Sequence, residues 1–417
     1  MTKLLVIADD FTGALDSGVQ FARKGIQTYV YVETTPNFSS EEIESAEVLV
    51  VDLQTRHLSP EQAGSRVYTI AKKAKKAGIR WFYKKTDSAL RGNIGAELQG
   101  LIEGTEQKSL AFIPAFPRNG RTTVGGKQYI DHVPLSRSVI GQDPFNAVRY
   151  DSVSEIIQEQ SPLQVTIAQP GEQPAPCGVT VFDAQSDEEI VHIADALRGQ
   201  EELLLAGCAG FADALPLVFE FERREVCRLP VCDRLLIVSG SLFPACREQF
   251  DCFQTQTSSG IYRLSAREKL AENILVDEEF IKSIREFVSN AGETLLLDGV
   301  GDKEIIDETN CYAEELGMDM ETARNRISTN IGLLAAEYIK EQENAALVVF
   351  GGDTLKKTIE ALHVRSVEPI AEIEDGVVAS LAALDGRKLV IVSKAGAFGT
   401  KDVLIRIRSF LLGLERS

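Results

Sequence analysis

The chain has 417 residues, 44% of them hydrophobic and 25% charged, with a formal net charge of −18. That length predicts roughly two or three domains, and the composition is that of a globular protein able to build large cores. The acidity excludes nucleic acid or an anionic membrane as a bulk partner, and no apolar run reaches the ~18 residues needed to cross a bilayer. An anionic substrate must therefore be gripped by local Lys and Arg. The opening MTKLLVIADD meets two aspartates by residue 10 and has no signal-peptide core, so a cytoplasmic protein is expected. The 7 cysteines form no C-x-x-C pair and no histidine lies near Cys227 and Cys232, which fits reduced thiols and no structural zinc.

Short apolar runs recur along the chain. Strands are expected at 4–8, 28–32, 48–51, 81–83, 110–113, 179–182, 203–206, 235–238, 294–297, 347–350 and 389–392. Helical stretches separate them, the longest at 321–340. Strand–helix alternation with continuous apolar strands predicts an α/β protein with mostly parallel sheets. The proline-bearing stretch 160–178 reads as a surface connection. The basic, proline-containing stretch RREVCRLPVCD (223–233) reads as the break between two α/β domains, 1–228 and 229–417.

The first motif is IADDFTGALDSG (7–18). Asp9 and Asp10 follow the first strand, where open α/β sheets place ligands. An N-cap for the next helix accounts for one acid but not for Asp9, Asp10 and Asp16 together. A haloacid-dehalogenase phosphatase is excluded, because the Asp-x-Asp-x-Thr register ending at Thr12 puts Ala8 at the nucleophile position. Arg56, in LQTRHL (53–58), also follows a strand, and His57 beside it reads as an exposed loop residue. In YKKTDSALRGNIGAEL (83–98) a strand delivers Lys84, Lys85, Asp87 and Ser88 into a loop, followed by Arg91 and a tight turn at Gly92. A guanidinium holds a carboxylate with two parallel hydrogen bonds, so Arg91 suits a small acid or a phosphate. In FIPAFPRNGRTTVGGKQYIDHVPL (112–135) a Walker A match fails, since Lys127 comes one place late and Gln128 replaces Ser or Thr. It reads as a long binding loop whose Arg118, Arg121 and Lys127 could meet substrate charge, against a plain surface hairpin. No histidine has partners at a spacing that would form a serine-type triad.

The second half holds three small-residue loops after strands: IVSGSLFP (237–244), the turn Gly351, Gly352, Asp353, Thr354, and the loop with Lys394, Gly396 and Gly399. Glycine at a strand-to-helix turn lets backbone N–H groups approach an anion, and the helix N-terminus adds partial positive charge. Ser239 and Ser241 add hydroxyl donors. Three such loops in one domain predict a nucleotide-sized ligand. An anion cradle in one half and carboxylates in the other predict phosphoryl transfer in the cleft between the two domains.

The segments IADDFTGA, YKKTDSALRGNIGAE, GRTTVGGKQY, GGDT and KAGAFG, in that order over nearly the whole chain, resemble the four-carbon acid sugar kinases. The resemblance implies an N-terminal acid-sugar domain and a C-terminal ATP domain. It implies ATP- and Mg²⁺-dependent phosphorylation of the terminal hydroxyl of threonate, erythronate or 3-oxo-tetronate. Asp9, Arg56, Lys84 and Asp87 match its substrate-side positions; Ser239, Gly351 to Thr354 and Gly396 match its nucleotide-side positions. The chain departs from the pattern at AGCAGFADAL (206–215), where Cys208 stands in place of a common serine. Either Asp9 or Asp10 accepts the hydroxyl proton or helps hold Mg²⁺. A nucleotide-independent sugar-acid isomerase or aldolase, or an inactive sugar-acid sensor, are the alternatives. The partners expected are the acid sugar and ATP, with a homo-oligomer possible; no metal ligand is assigned.

Overall fold

The computed structural model describes residues 2–142, 147–200, 202–257, 259–290, 292–395 and 398–414. The chain divides into two compact units, Met1–Val226 and Cys227–Ser417.

The strands of the first unit are β1 (Leu4–Ala8), β2 (Thr28–Tyr31), β3 (Val48–Asp52), β4 (Trp81–Lys85), β5 (Ser109–Ile113), β6 (Arg121–Val124), β7 (Lys127–Ile130), β8 (Val133–Pro134), β9 (Val165–Ala168), β10 (Gly178–Phe182) and β11 (Leu204–Gly207). A parallel sheet runs in the order β2-β3-β1-β4-β11-β5-β10-β9. Every residue of β1 and β3 is buried. Parallel strands are covered on both faces, which is why these segments read as unbroken apolar runs. Their core continues into the helices Pro60–Lys76 and Ile94–Thr105 through Val67, Ile70, Leu98 and Leu101.

Two segments differ from the sequence expectation. The stretch 160–178 is not only a connection, since its Val165–Ala168 pairs with β10 at the sheet edge. Flanking prolines are tolerated beside an edge strand, and so short a run between them hides its pairing. The stretch 112–135 forms an antiparallel three-stranded sheet, β6-β7-β8, so the hairpin reading holds in place of the long loop.

The second unit has β12 (Arg234–Ser239), β13 (Gly260–Arg263), β14 (Thr294–Asp298), β15 (Ala345–Phe350), β16 (Ser366–Glu374), β17 (Val377–Leu384) and β18 (Arg387–Lys394). They order as β13-β14-β12-β15-β18-β17-β16. The first five are parallel, and β17 runs antiparallel to both its neighbours. Two tight turns join β16, β17 and β18. At the second, Asp385 and Gly386 have φ of 48° and 81°. Asp-Gly with both φ positive is the two-residue hairpin turn. From β12 the chain crosses to β13 on one side, whereas from β15 it leaves toward the other. Adjacent strands whose connections diverge leave a crevice at their carboxyl ends, and here it lies between Ser239 and Phe350.

Candidate active site

In the first unit the loops after β1, β3 and β4 converge at the carboxyl end of the sheet. Asp10 ends in extended backbone and caps the helix Phe11–Ala22, accepting from the Gly13 amide at 2.9 Å. Gly13 allows this approach. A Cβ there would lie 2.5 Å from Asp10 Oδ1 and 2.9 Å from Lys85 Nζ. Arg56 is the hub of the cluster. Its Nε donates to Asp9 Oδ2 at 2.8 Å, its Nη1 to Asp10 Oδ2 at 2.6 Å, and its Nη2 lies 3.6 Å from Asp87 Oδ1. Arg91 forks onto Asp87, with Nε to Oδ2 at 2.8 Å and Nη2 to Oδ1 at 3.0 Å. Two non-glycine residues of these loops, Gln54 and Leu90, hold φ of 51° and 54°. Left-handed backbone at ordinary residues is stored strain of the kind that gathers at functional loops.

The charges set one another. Burial raises the Asp10 carboxyl, but Arg56, Lys85 and the Thr12 hydroxyl together hold it below the usual carboxylate range. Burial works the same way on Asp87, and Arg91 and Arg56 outweigh it by more, so Asp87 lies well below that range. Burial lowers Arg56, yet Asp10, Asp9 and Asp87 hold it well above its ordinary value. Asp10, Asp87 and Arg56 are therefore charged at neutral pH.

Two groups remain uncommitted. Asp9 Oδ1 is buried with no hydrogen-bond partner. Lys85 is 4% exposed, and its Nζ donates to the Thr86 carbonyl at 2.9 Å. Among the described residues Lys85 forms no ion pair. A buried acceptor without a donor is unfavourable until a ligand completes it, and Lys85 acts on Asp10 and Asp87 only at a distance, with no carboxylate in direct contact.

The sequence-expected residues fare unequally. Asp9, Asp10, Arg56, Lys85, Asp87 and Arg91 meet in one cluster. Arg56 and Arg91 do not present an open fork, as expected for gripping a substrate carboxylate, because the aspartates already occupy them. Lys84 pairs with a carboxylate as well. It is 0% exposed, with Nζ 3.1 Å from Glu97 Oε2. Odd and even residues of a strand face opposite sides, so the two adjacent lysines part, Lys84 toward Glu97 and Lys85 toward Gly13 and the Asp10 loop. Burial, opposed by Lys84 and reinforced by Asp9, raises Glu97 above the usual carboxylate range. Ser88 is half-buried, and its carbonyl accepts from Gln128 Nε2 at 3.2 Å. Gln128 thus fastens the β6-β7 hairpin to the site loop. Arg118 of the same hairpin meets Asp213 at 3.3 Å. Cys208 is buried, its thiol pushed up to about 11 by burial, with Sγ 3.3 Å from the Ala115 carbonyl. It packs the core.

Sequence reasoning missed Asn93 and Glu97. Asn93 Nδ2 donates to the carbonyls of Thr55 at 2.8 Å and Leu58 at 3.0 Å, tying the β3 and β4 loops together. Its place in RGN before a helix was the available signal. A pocket of about 1060 Å³ beside Trp81, Arg80 and Phe219 opens at the amino ends of β1 and β4, away from this cluster.

In the second unit Ser239 ends β12 and Gly351 follows β15. Gly351 has φ of 104°, and a Cβ there would lie 3.3 Å from the Gly240 carbonyl. Positive φ falls on Gly351, whereas Gly352 begins the helix Gly352–Ala361. Thr354 is buried with Oγ1 unpartnered, and a Cβ on Gly240 would strike that oxygen. The crevice between β12 and β15 is thus lined by bare backbone, a helix N-terminus and a free hydroxyl, which fits a phosphate-bearing ligand. Asp353 is turned outward, with Oδ2 3.5 Å from Arg324 Nε. Lys394, expected in the loop with Gly396 and Gly399, is instead the last residue of β18. It is 0% exposed, donates to the Phe398 carbonyl at 2.9 Å, and lies 4.8 Å from the Phe350 ring centroid. Burial lowers its pKa, with Cys246 opposing. It fastens the loop after β18. Gly399 has φ of 85°, and its carbonyl accepts from Gln249 Nε2 at 2.9 Å. Gly396 lies outside the described residues. Also unforeseen is Asp298, which ends β14 beside Ser239 and gathers Arg247 and Arg263. No group of three or more metal-ligating side chains occurs among the described residues.

Comparison with known proteins assigns each unit a domain family. Residues 4–215 fit the family model of a sugar-binding N-terminal domain, and residues 236–404 that of a nucleotide-binding C-terminal domain. A D-threonate kinase of Salmonella typhimurium is 29% identical over 96% of both chains. A D-erythronate kinase of Heliobacterium modesticaldum is 26% identical over 99% of this chain and 98% of its own. A 3-oxo-tetronate kinase of Cupriavidus necator is 26% identical over 95% of this chain and 94% of its own. A solved Salmonella typhimurium protein shares the fold with a TM-score of 0.81 at 20% identity, covering 98% of this chain and 99% of its own. A Haemophilus influenzae protein does so with 0.72 at 18%, covering 98% and 100%. A sugar-binding N-terminal domain and a nucleotide-binding C-terminal domain together account for most of the chain, and the chain belongs to the four-carbon acid sugar kinases.

Proposed function

We propose that this chain transfers the γ-phosphoryl group of ATP to the terminal 4-hydroxyl of a four-carbon acid sugar such as D-threonate, D-erythronate or 3-oxo-tetronate. The first unit takes the acid sugar and the second the nucleotide. The observation that carries the reading is the pair left open in the first unit: Asp9 Oδ1 without a donor and Lys85 without a direct ion pair. A polyol acid supplies both a hydroxyl and a carboxylate.

Lys85 neutralises the acid-sugar carboxylate, and Ser88 on the same loop contributes a hydroxyl. Asp9 takes the proton of the attacking hydroxyl as its oxygen forms a bond to the γ-phosphorus and the bond to the ADP oxygen breaks. Asp10 serves a different purpose, because its two oxygens are engaged by Gly13, Thr12 and Arg56. Arg56 and Arg91 hold the aspartates in place. In the second unit the backbone at Gly351 and Gly352 and the Thr354 hydroxyl receive the phosphates. Most of the rate then comes from positioning and charge neutralisation, since phosphoryl transfer asks little covalent work of a protein. Magnesium fits these residues only as an ion carried by the nucleotide, supplemented by one or two carboxylates, because no three-acid cage is gathered among the described residues. It would supply charge neutralisation on the polyphosphate.

A coupled ADP-release assay over the threonates, erythronates and 3-oxo-tetronates tests the reading. Turnover with at least one of them, dependent on ATP, is expected. Conversion of an acid sugar without nucleotide, or no turnover with the whole set, would sink it.

A further inference from the structure

Asp298 closes β14 at 1% exposure. It accepts four hydrogen bonds. Its Oδ1 takes the amides of Val300 at 3.1 Å and Gly301 at 2.9 Å. Its Oδ2 takes Arg247 Nη1 and Arg263 Nε, each at 3.2 Å. Arg247 comes from the helix Pro244–Gln256, which follows the Ser239 loop, and Arg263 ends β13. Lys269 Nζ donates to the Val300 carbonyl at 2.7 Å and buttresses the same turn.

The arrangement exceeds what the buried carboxylate needs. Two backbone amides and one guanidinium would satisfy it, since a single arginine fork can bind both oxygens. Here two arginines each give Asp298 a single N–H. Their other acidic partners are exposed: Asp251 lies 3.1 Å from Arg247 with its side chain 55% exposed, and Asp302 lies 3.5 Å from Arg263 with 48%. Such surface pairs are screened and contribute about 0–1 kcal/mol. The two arginine side chains are 37% and 35% exposed. Each is anchored to the same buried carboxylate and keeps N–H groups beyond that contact.

The location is specific. Asp298 pairs in register with Ser239 across neighbouring strands. A Cβ on Gly299 would come within 2.8 Å of the Ser239 carbonyl. Strands lie about 4.8 Å apart, so Asp298, the carboxylate that both guanidiniums contact, stands one strand from Ser239 at the edge of the β12–β15 crevice, with Arg263 on the strand beyond it.

We propose that Arg247 and Arg263, oriented by Asp298, form a clamp for the phosphate groups of the nucleotide bound in the second unit. The proposal rests on the nucleotide reading of that unit. Arginine suits the task because its charge persists at all working pH and its planar fork matches phosphate oxygens. Preorganised guanidiniums stabilise charge on a polyphosphate without reorganising.

Calorimetric titration of AMP, ADP and ATP into the full chain, wild type against Arg247→Ala and Arg263→Ala, tests the clamp, with thermal melting of each variant alongside. ADP and ATP should bind at least about 10-fold more weakly to either variant, the scale of a lost charge-assisted hydrogen bond. The loss should grow from AMP to ATP, and Arg263→Lys should recover part of it. An equal loss for all three nucleotides would assign the arginines to scaffolding alone, and unchanged ADP affinity in both alanine variants would overturn the clamp outright. Should an alanine variant melt early, Arg263→Lys carries the same AMP-to-ATP comparison on a folded chain. A wild-type chain that binds none of the nucleotides would remove the nucleotide reading as well, which separates that failure from failure of the clamp.

Discussion

The two units solve the problem of holding an anion in opposite ways. In the first, charge is abundant and already paired: one guanidinium spans Asp9, Asp10 and Asp87, and a second is forked on Asp87. In the second, the crevice between β12 and β15 is made of Gly240, Gly351, Gly352 and the hydroxyl of Thr354, with its arginines held at the flank. A small polyol acid offers many hydroxyls and one charge, so its pocket needs fixed acceptors and a single open cation. A nucleotide brings several charges and a rigid shape, so its site needs close backbone approach first. The lesson is that a dense charge cluster need not be the place where charge is delivered to a ligand. In the first unit most of it orients the few groups left open.

The contrast can be broken most sharply at Asp9. Asp9→Asn should lower kcat by about 10²-fold or more, the scale of a lost general base, with nucleotide affinity unchanged. Asp10→Asn should instead lower the melting temperature and leave most of the turnover, because Asp10 caps a helix. Equal kcat losses in the two variants would erase the distinction between base and cap.

On the nucleotide side, Gly351→Val should weaken ADP about 10²-fold while acid-sugar binding persists. A β-branched residue resists φ of 104° and fills the space facing Gly240. Gly352→Val should do less, being helical. If calorimetry found ADP binding intact in the folded Gly351 variant, the phosphates would lie elsewhere.

Lys85→Met should raise KM for the acid sugar about 10-fold, consistent with losing one charged contact, and leave KM for ATP alone. Arg91→Lys should move the same KM less, because its fork holds Asp87. The reverse ranking in steady-state kinetics would restore Arg91 as the direct grip.

The smallest effect is on acid stability. Asp87 and Asp10 lie below their ordinary value near 4 when folded. Their contribution is complete above that pH and is lost as pH falls through the lower folded values. Melting temperature should therefore drop less steeply between pH 4 and pH 2 in Asp87→Asn than in wild type. Parallel slopes would mean that the Arg91 and Arg56 pairs add nothing to folding.

Much of this architecture was legible because parallel strands are apolar throughout. The segment at residues 4–8 is a strand with those same bounds, and the helix predicted at 321–340 begins one residue earlier. The antiparallel strands β16 and β17 escaped, although Asp-Gly at 375–376 and 385–386 is a hairpin signal between apolar runs. At the site, the residue types were readable and their partners were not. Nothing in YKKTDS tells which lysine turns inward to Glu97, and nothing in LQTRHL shows Arg56 meeting three aspartates from two other loops. Those pairings depend on strand register between β1, β3 and β4, which a single sequence does not display.

Trp81 is the only tryptophan of the chain, and it stacks on Phe219 at 4.3 Å with Phe221 edge-on at 5.8 Å. These aromatic residues lie where the chain is about to leave the first unit. Indole emission therefore reports from within the first unit. Recorded beside far-ultraviolet dichroism, which sees both halves, fluorescence separates one cooperative transition from two. Any ligand that shifts only the dichroic curve has bound without steadying the half that holds the indole.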